Sequence, residues 1–172
     1  MLSLFAQTKA KFVSIEVVVA NAGLMETKLF FGFDLDENGD LKELAESHAV
    51  IDVNLKGTMN SLFLTCLTNY SVSMAVHQMG LNSPYFPDGS RGSIVLVSST
   101  SGYIGGTAVA SYVASKHGFI GLLRVSQSAT RKNGVCVNAV APFFTPTHIT
   151  SGHTEEWRQA GLPEIVSQMS LL

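Results

Sequence analysis

Three short apolar, β-branched runs, set far apart, constrain this chain more than any other feature of it. They are Ile15-Glu16-Val17-Val18-Val19, Ser93-Ile94-Val95-Leu96-Val97 and Val135-Cys136-Val137-Asn138-Ala139-Val140-Ala141. Continuous apolar runs of this kind read as strands of a parallel sheet covered on both faces. One long helix is predicted from near Leu41 or Glu46 through Met74. A second runs from near Ala110 to about Lys132, with Asn133-Gly134 as its stop. The predicted order is α-β-α-β-α-β-α with right-handed crossovers, an α/β fold. The runs exit into Ala20-Asn21-Ala22-Gly23, Ser98-Ser99 and Pro142. Ligands of open α/β sheets bind beyond the carboxyl ends of the strands, so these exits mark one rim as the candidate site.

Chemistry on that rim is suggested by Ser111-Tyr112-Val113-Ala114-Ser115-Lys116, with Ser99 thirteen residues before the tyrosine. On a helix, residues i and i+4 share a face, so phenol and ammonium point into the same cleft. A nearby cation favours phenolate and is expected to pull the tyrosine below its ordinary pKa of about 10. Such a phenol trades protons with an alcohol or a carbonyl oxygen.

Composition removes competing readings. A chain of 172 residues fits one domain. Charged residues are 14% and apolar ones 46%, against about 25% charged in an average globular domain, as an interior cut from a larger sheet would be. The 13 acidic and 11 basic residues give −2, which argues against nucleic acid and anionic membranes as partners. Cys66 and Cys136 have neither metal-site nor disulfide-framework spacing, and the five histidines show no paired spacing. No metal and a reduced, cytoplasmic setting are therefore expected. No apolar run approaches a membrane span, and Met1-Leu2-Ser3-Leu4-Phe5 is too short for a signal core. Residues 30–40 read as a solvated loop turning at Asn38-Gly39, and 80–92 as a surface loop rich in Gly and Pro. Neither a G-x-S-x-G elbow nor a Ser-x-x-Lys pair is present, which removes the obvious hydrolases.

Taken in order, several motifs resemble the short-chain dehydrogenase/reductase family, classical type. They are Ala20-Asn21-Ala22-Gly23, Asn54 in Asp52-Val53-Asn54-Leu55-Lys56-Gly57, Ser99, Tyr112-x-x-x-Lys116, and Val137-Asn138-Ala139-Val140-Ala141-Pro142 with Thr147 beyond. Each is weak alone; the ordered set is specific and covers residues 10–147. The stretch from Tyr112 to Gly121 is loosely similar to hydroxyprostaglandin-dehydrogenase-like members.

The resemblance implies NAD or NADP as cofactor and a secondary alcohol or ketone as substrate. It makes Tyr112 the general acid or base, and Lys116 its modulator and a ligand of the nicotinamide ribose. Ser99 becomes the holder of the substrate oxygen. Asn54 would bend its helix and position water for a proton relay. Asn21, Ala22 and Gly23 would either stabilise the sheet or let backbone approach the cofactor, and both uses stay open. Pro142, Thr145 and Thr147 would lie along the nicotinamide carboxamide. The two long helices, Leu41–Met74 and Ala110–Lys132, would form an oligomer interface.

Two departures from the family pattern bear on function. The sequence has no glycine-rich Thr-Gly-x-x-x-Gly-x-Gly turn, the usual holder of the pyrophosphate at a helix N-terminus. By that comparison it is a partial Rossmann-type parallel sheet lacking its first three strands. Residues 1–147 make its catalytic portion and 148–172 a substrate-loop segment. Second, Pro142 is followed by Phe143 where the family has glycine, so Phe143 and Phe144 either disturb the carboxamide contact or only pack beneath the loop. An oxidoreductase, weak or inactive in this form, is thus one expectation. A non-catalytic chain associating with itself or with full-length relatives is the other.

Overall fold

The structure is a computed structural model and describes residues 7, 8, 10–12, 15–28, 35–42, 44–62, 87, 89–105, 108–131 and 134–159. Three strands form the sheet: β1 (Val17–Ala20), β2 (Gly92–Val97) and β3 (Val135–Val140). Their order is β1-β2-β3 and both pairings are parallel, with Val18 opposite Ile94 and Ile94 opposite Val137. The three apolar runs are therefore the three strands.

The first long helix is broken into three pieces among the described residues. These are α1 (Ala45–Ile51), a π-helical stretch (Asp52–Lys56) and α2 (Gly57–Leu62); the expected continuation to Met74 lies outside the described residues. Single π turns in helices commonly mark functional positions, and Asn54 sits in the middle of this one, fully buried. The second long helix is α3 (Ala110–Thr130). Two short helices follow β3: α4 (His148–Ser151) and α5 (Thr154–Gln159).

The core lies between α3 and one face of the sheet. Leu62, Ile94, Leu96, Phe119, Val135 and Val137 form one buried cluster, with Phe119 of α3 pressed onto the two leucine and isoleucine positions of the central strand. Burying a side chain the size of Phe119 contributes roughly 1.5–3 kcal/mol. Strand β1 is open on one face, as expected for a Val-rich run without the sheet strand that would normally pair with it. Val17 and Val19 point away from the core and are 61% and 56% exposed. They form one wall of an open apolar groove, shared with Val53 and Gly57. Strand β2 is central, with both neighbours in the described sheet, and Ile94 and Leu96 on its core face are fully buried. The expected turn at Asn38-Gly39 is present: Gly39 has φ +85° and the Asp36 carboxylate accepts the N–H groups of Asn38 and Asp40.

Candidate active site

The strand exits converge. Ser98 N–H donates to the Val140 carbonyl, and Thr100 N–H to the Pro142 carbonyl, which ties the ends of β2 and β3 together. Ser99 then leaves the sheet in an extended conformation and caps a short 3-10 turn (Thr100–Gly102), its Oγ accepting the Ser101 N–H at 3.1 Å. That capping use does not exhaust it. Ser99 also lies beside the Tyr112 side chain on the wall of the same cavity and favours its phenolate.

Tyr112 lies in the first turn of α3 and Lys116 one turn further on. The Lys116 ammonium donates to the Val97 carbonyl at 2.8 Å, so the helix is pinned to the end of the central strand by its own lysine. It also lies over two rings, 4.4 Å from the centroid of Phe119 and 5.4 Å from that of Tyr112. Only 4% of Lys116 is exposed. Desolvation disfavours the charged form, and burial pulls this ammonium from 10.5 down to about 8. The same effect corrects the expectation for the phenol. Burial pushes Tyr112 above its ordinary 10.0, and the neighbouring Ser99 side chain opposes the rise without cancelling it. The lysine cation, turned toward the Val97 carbonyl, does not make Tyr112 the acidic phenol read from the spacing.

Ser99, Tyr112 and Lys116 line one cavity of about 200 Å3. Asn21, Gly23, Pro142, Thr145 and Thr147 line it too, so eight of the predicted site residues share one space. Two do not. Ala22 faces the groove on the other side of β1. Asn54 sits behind the cavity with its amide fully engaged: Oδ1 accepts the Leu24 N–H at 2.7 Å, and Nδ2 donates to the Leu24 carbonyl at 2.8 Å and Ser115 Oγ at 3.0 Å. It fastens the loop after β1 to the second turn of α3. Gly23 lies against this amide: a Cβ there would stand 3.4 Å from the Asn54 oxygen, at the near edge of ordinary contact. The Thr147 hydroxyl takes part in a reciprocal cap with Thr150 at the start of α4. Phe143 is 46% exposed on the cavity wall and Phe144 meets the Trp157 ring edge-on at 5.6 Å. Ala108, at φ +56°, is the non-glycine residue with positive φ among those described, so Phe143 does not adopt glycine's special backbone.

Glu26 was not anticipated from the sequence. Its buried carboxylate accepts the Ser111 N–H at 2.6 Å and the Tyr112 N–H at 3.0 Å, capping α3 from 85 residues away. One signal for it exists in the sequence: the residue before the helix is Val109, which has no side-chain acceptor, so the free N–H groups must find one elsewhere. Trp157 was also missed as a wall of the cavity. It is held by a stacked His153, centroids 5.2 Å apart.

A three-stranded parallel sheet with Ser99, Tyr112 and Lys116 gathered past its strand ends defines a Rossmann-like α/β protein. The family model for short chain dehydrogenases matches residues 1–158. This chain belongs to that family. The short-chain dehydrogenase/reductase prx4 of Penicillium roqueforti is 34% identical over 148 residues, 84% of this chain and 40% of the relative. The 3-oxoacyl-[acyl-carrier-protein] reductase FabG of Staphylococcus aureus is 29% identical over 163 residues, 95% of this chain and 56% of its own length. The fold is also that of gluconate 5-dehydrogenase from Burkholderia cenocepacia, solved with NADP and tartrate. The TM-score is 0.64 at 21% identity, covering 87% of this chain and 48% of that one. The chain thus spans about half the length of the relatives it matches.

Proposed function

We propose that this chain carries the catalytic portion of an NAD(P)-dependent oxidoreductase interconverting a secondary alcohol and a ketone. The observation that supports it best is that Ser99, Tyr112 and Lys116 line one cavity beyond the strand ends, with Lys116 one helical turn from Tyr112. In this reading Ser99 donates a hydrogen bond to the substrate oxygen. Tyr112, a neutral phenol at neutral pH, gives that oxygen its proton in ketone reduction and takes it back in alcohol oxidation. The Lys116 cation stabilises the phenolate so formed. Asn54 acts through position, holding the Leu24 loop against α3.

The donor set fits the nicotinamide end of such a cofactor. An ammonium has three N–H groups; Lys116 gives one to Val97 and keeps others beside Tyr112. Asn21, Pro142, Thr145 and Thr147 share the rim. The cofactor, when bound, supplies or accepts the hydride. No glycine-rich turn occurs in these 172 residues to hold a pyrophosphate, so cofactor affinity is expected to be weak in this chain alone.

A second reading is favoured by the open face of β1 and by Val53, Met59 and Val125, each exposed on a helix. In it, the chain is a non-catalytic partner that associates with itself or with longer relatives. Fluorescence titration of NADH and NADPH, with alcohol oxidation followed at 340 nm, separates the two. Saturable binding with turnover that Tyr112→Phe abolishes supports the first; a folded, associating chain that binds neither supports the second.

A further inference from the structure

The cavity that holds Ser99 and Tyr112 also carries an apolar wall, made by Met25, Val109, Phe143, Phe144, Ile149 and Trp157. The wall is built rather than incidental: Trp157 is 2% exposed, stacked by His153 on one side and met edge-on by Phe144 on the other. Charge is nearly absent. Among the described lining residues Lys116 is the one ionisable cation, and its ammonium is drawn to the Val97 carbonyl and covered by the Phe119 and Tyr112 rings. The nearest carboxylate behind the helix start is Glu26, bound to the Ser111 and Tyr112 N–H groups, and its sign repels anions. A carboxylate or phosphate set against the apolar wall would lose its hydration far from an ion partner, since the one ammonium is already engaged with Val97. Such desolvation costs several kcal/mol.

We propose that the cavity takes an uncharged ketone or secondary alcohol with a compact apolar skeleton. Its oxygen lies at Ser99 and Tyr112 and its carbons against Phe144 and Trp157. This rests on the oxidoreductase reading above and adds the substrate class to it. The space of about 200 Å3 is shared with the nicotinamide end in the reading above, so what remains suits a compact molecule. The class differs from the sugar acid that names the gluconate enzyme sharing the fold.

The test compares two probes that differ by one carboxylate, cyclohexanone and 4-oxocyclohexanecarboxylate, by saturation-transfer NMR on the 172-residue chain. The neutral ketone should bind at least about tenfold more tightly. Ile149→Arg places a cation on a half-exposed wall position and should narrow the ratio to about threefold or less. Equal binding of the probes, tighter binding of the anion, or binding of neither overturns the proposal. So does an unchanged ratio in folded Ile149→Arg, which would put the discrimination outside this cavity. Hydride transfer is followed separately. Cyclohexanone bound in the cavity but never reduced would overturn the oxidoreductase reading and leave the substrate class standing. Turnover of both ketones with equal kcat/KM would do the reverse.

Discussion

The carboxylate of Glu26 accepts the backbone N–H of Tyr112 at 3.0 Å, so the loop after β1 fixes where the helix carrying the phenol begins. The same carboxylate takes the Ser111 N–H, and neither donor has another acceptor nearby in Val109. A carboxylate at a helix N-terminus is favoured both by these bonds and by the helix dipole. Glu26→Ala should therefore lower unfolding free energy by about 1–2 kcal/mol. Glu26→Gln, which keeps one acceptor oxygen, should lose less. Urea denaturation of the three chains checks this, and an Ala variant as stable as the parent would remove Glu26 as the cap.

Lys116 makes stability rise with pH. The unfolded chain holds this proton to near 10.5 and the folded chain only to about 8, so between those values the unfolded state binds more protons. Raising the pH through that window then favours the folded state. Tyr112 acts oppositely, because its folded phenol holds its proton to higher pH than the unfolded one; it erodes stability above pH 10. The expected profile climbs from pH 8 to about 10 and then flattens or falls. Lys116→Met should abolish the climb. Denaturant midpoints across pH 7 to 11 for both chains decide it, and parallel profiles would show that burial of this ammonium does not govern stability.

The raised phenol also sets a direction for catalysis. A neutral Tyr112 is a proton donor across the neutral range, so ketone reduction should be flat there and fall only at alkaline pH. Alcohol oxidation should climb with pH, since it needs the phenolate. Tyr112→Phe should cut either rate by about 10²–10⁴. A rate within twofold of the parent would remove Tyr112 from the chemistry.

The sheet and much of the cavity were legible because their signals are local. A run such as Ile94–Val97 is apolar at every position, and Tyr112 and Lys116 lie one helical turn apart in the chain itself. What stayed hidden depends on contacts between distant segments. Glu26 is an ordinary acid in a loop until α3 begins beside it. The π-helical stretch around Asn54 is set by the pull of Leu24 and Ser115 on one amide, 30 and 61 residues away. The direction of the Tyr112 shift failed for a related reason. Spacing shows that a cation is near, but not that the Val97 carbonyl holds it and that burial outweighs it.

Two glycines allow a matched test of how tightly the site is packed. A Cβ on Gly102 would stand 2.6 Å from the Lys116 carbonyl oxygen and 2.9 Å from Ser98 Oγ, so the 3-10 turn and α3 would have to separate. Overpacking of that kind costs about 1–3 kcal/mol. Gly102→Ala should therefore destabilise the fold and, by moving the turn that Ser99 caps, reduce turnover beyond the loss of folded protein. Gly121 is exposed in the middle of α3 with nothing within 4 Å of where its Cβ would be. There Gly→Ala only removes backbone freedom from the unfolded chain, and Gly121→Ala should stabilise by about 0.5–1 kcal/mol. Thermal unfolding of the pair should move in opposite directions. If Gly102→Ala also gained stability, α3 and the turn after β2 would not be in close contact, and the geometry that brings Ser99 to Tyr112 would be wrong.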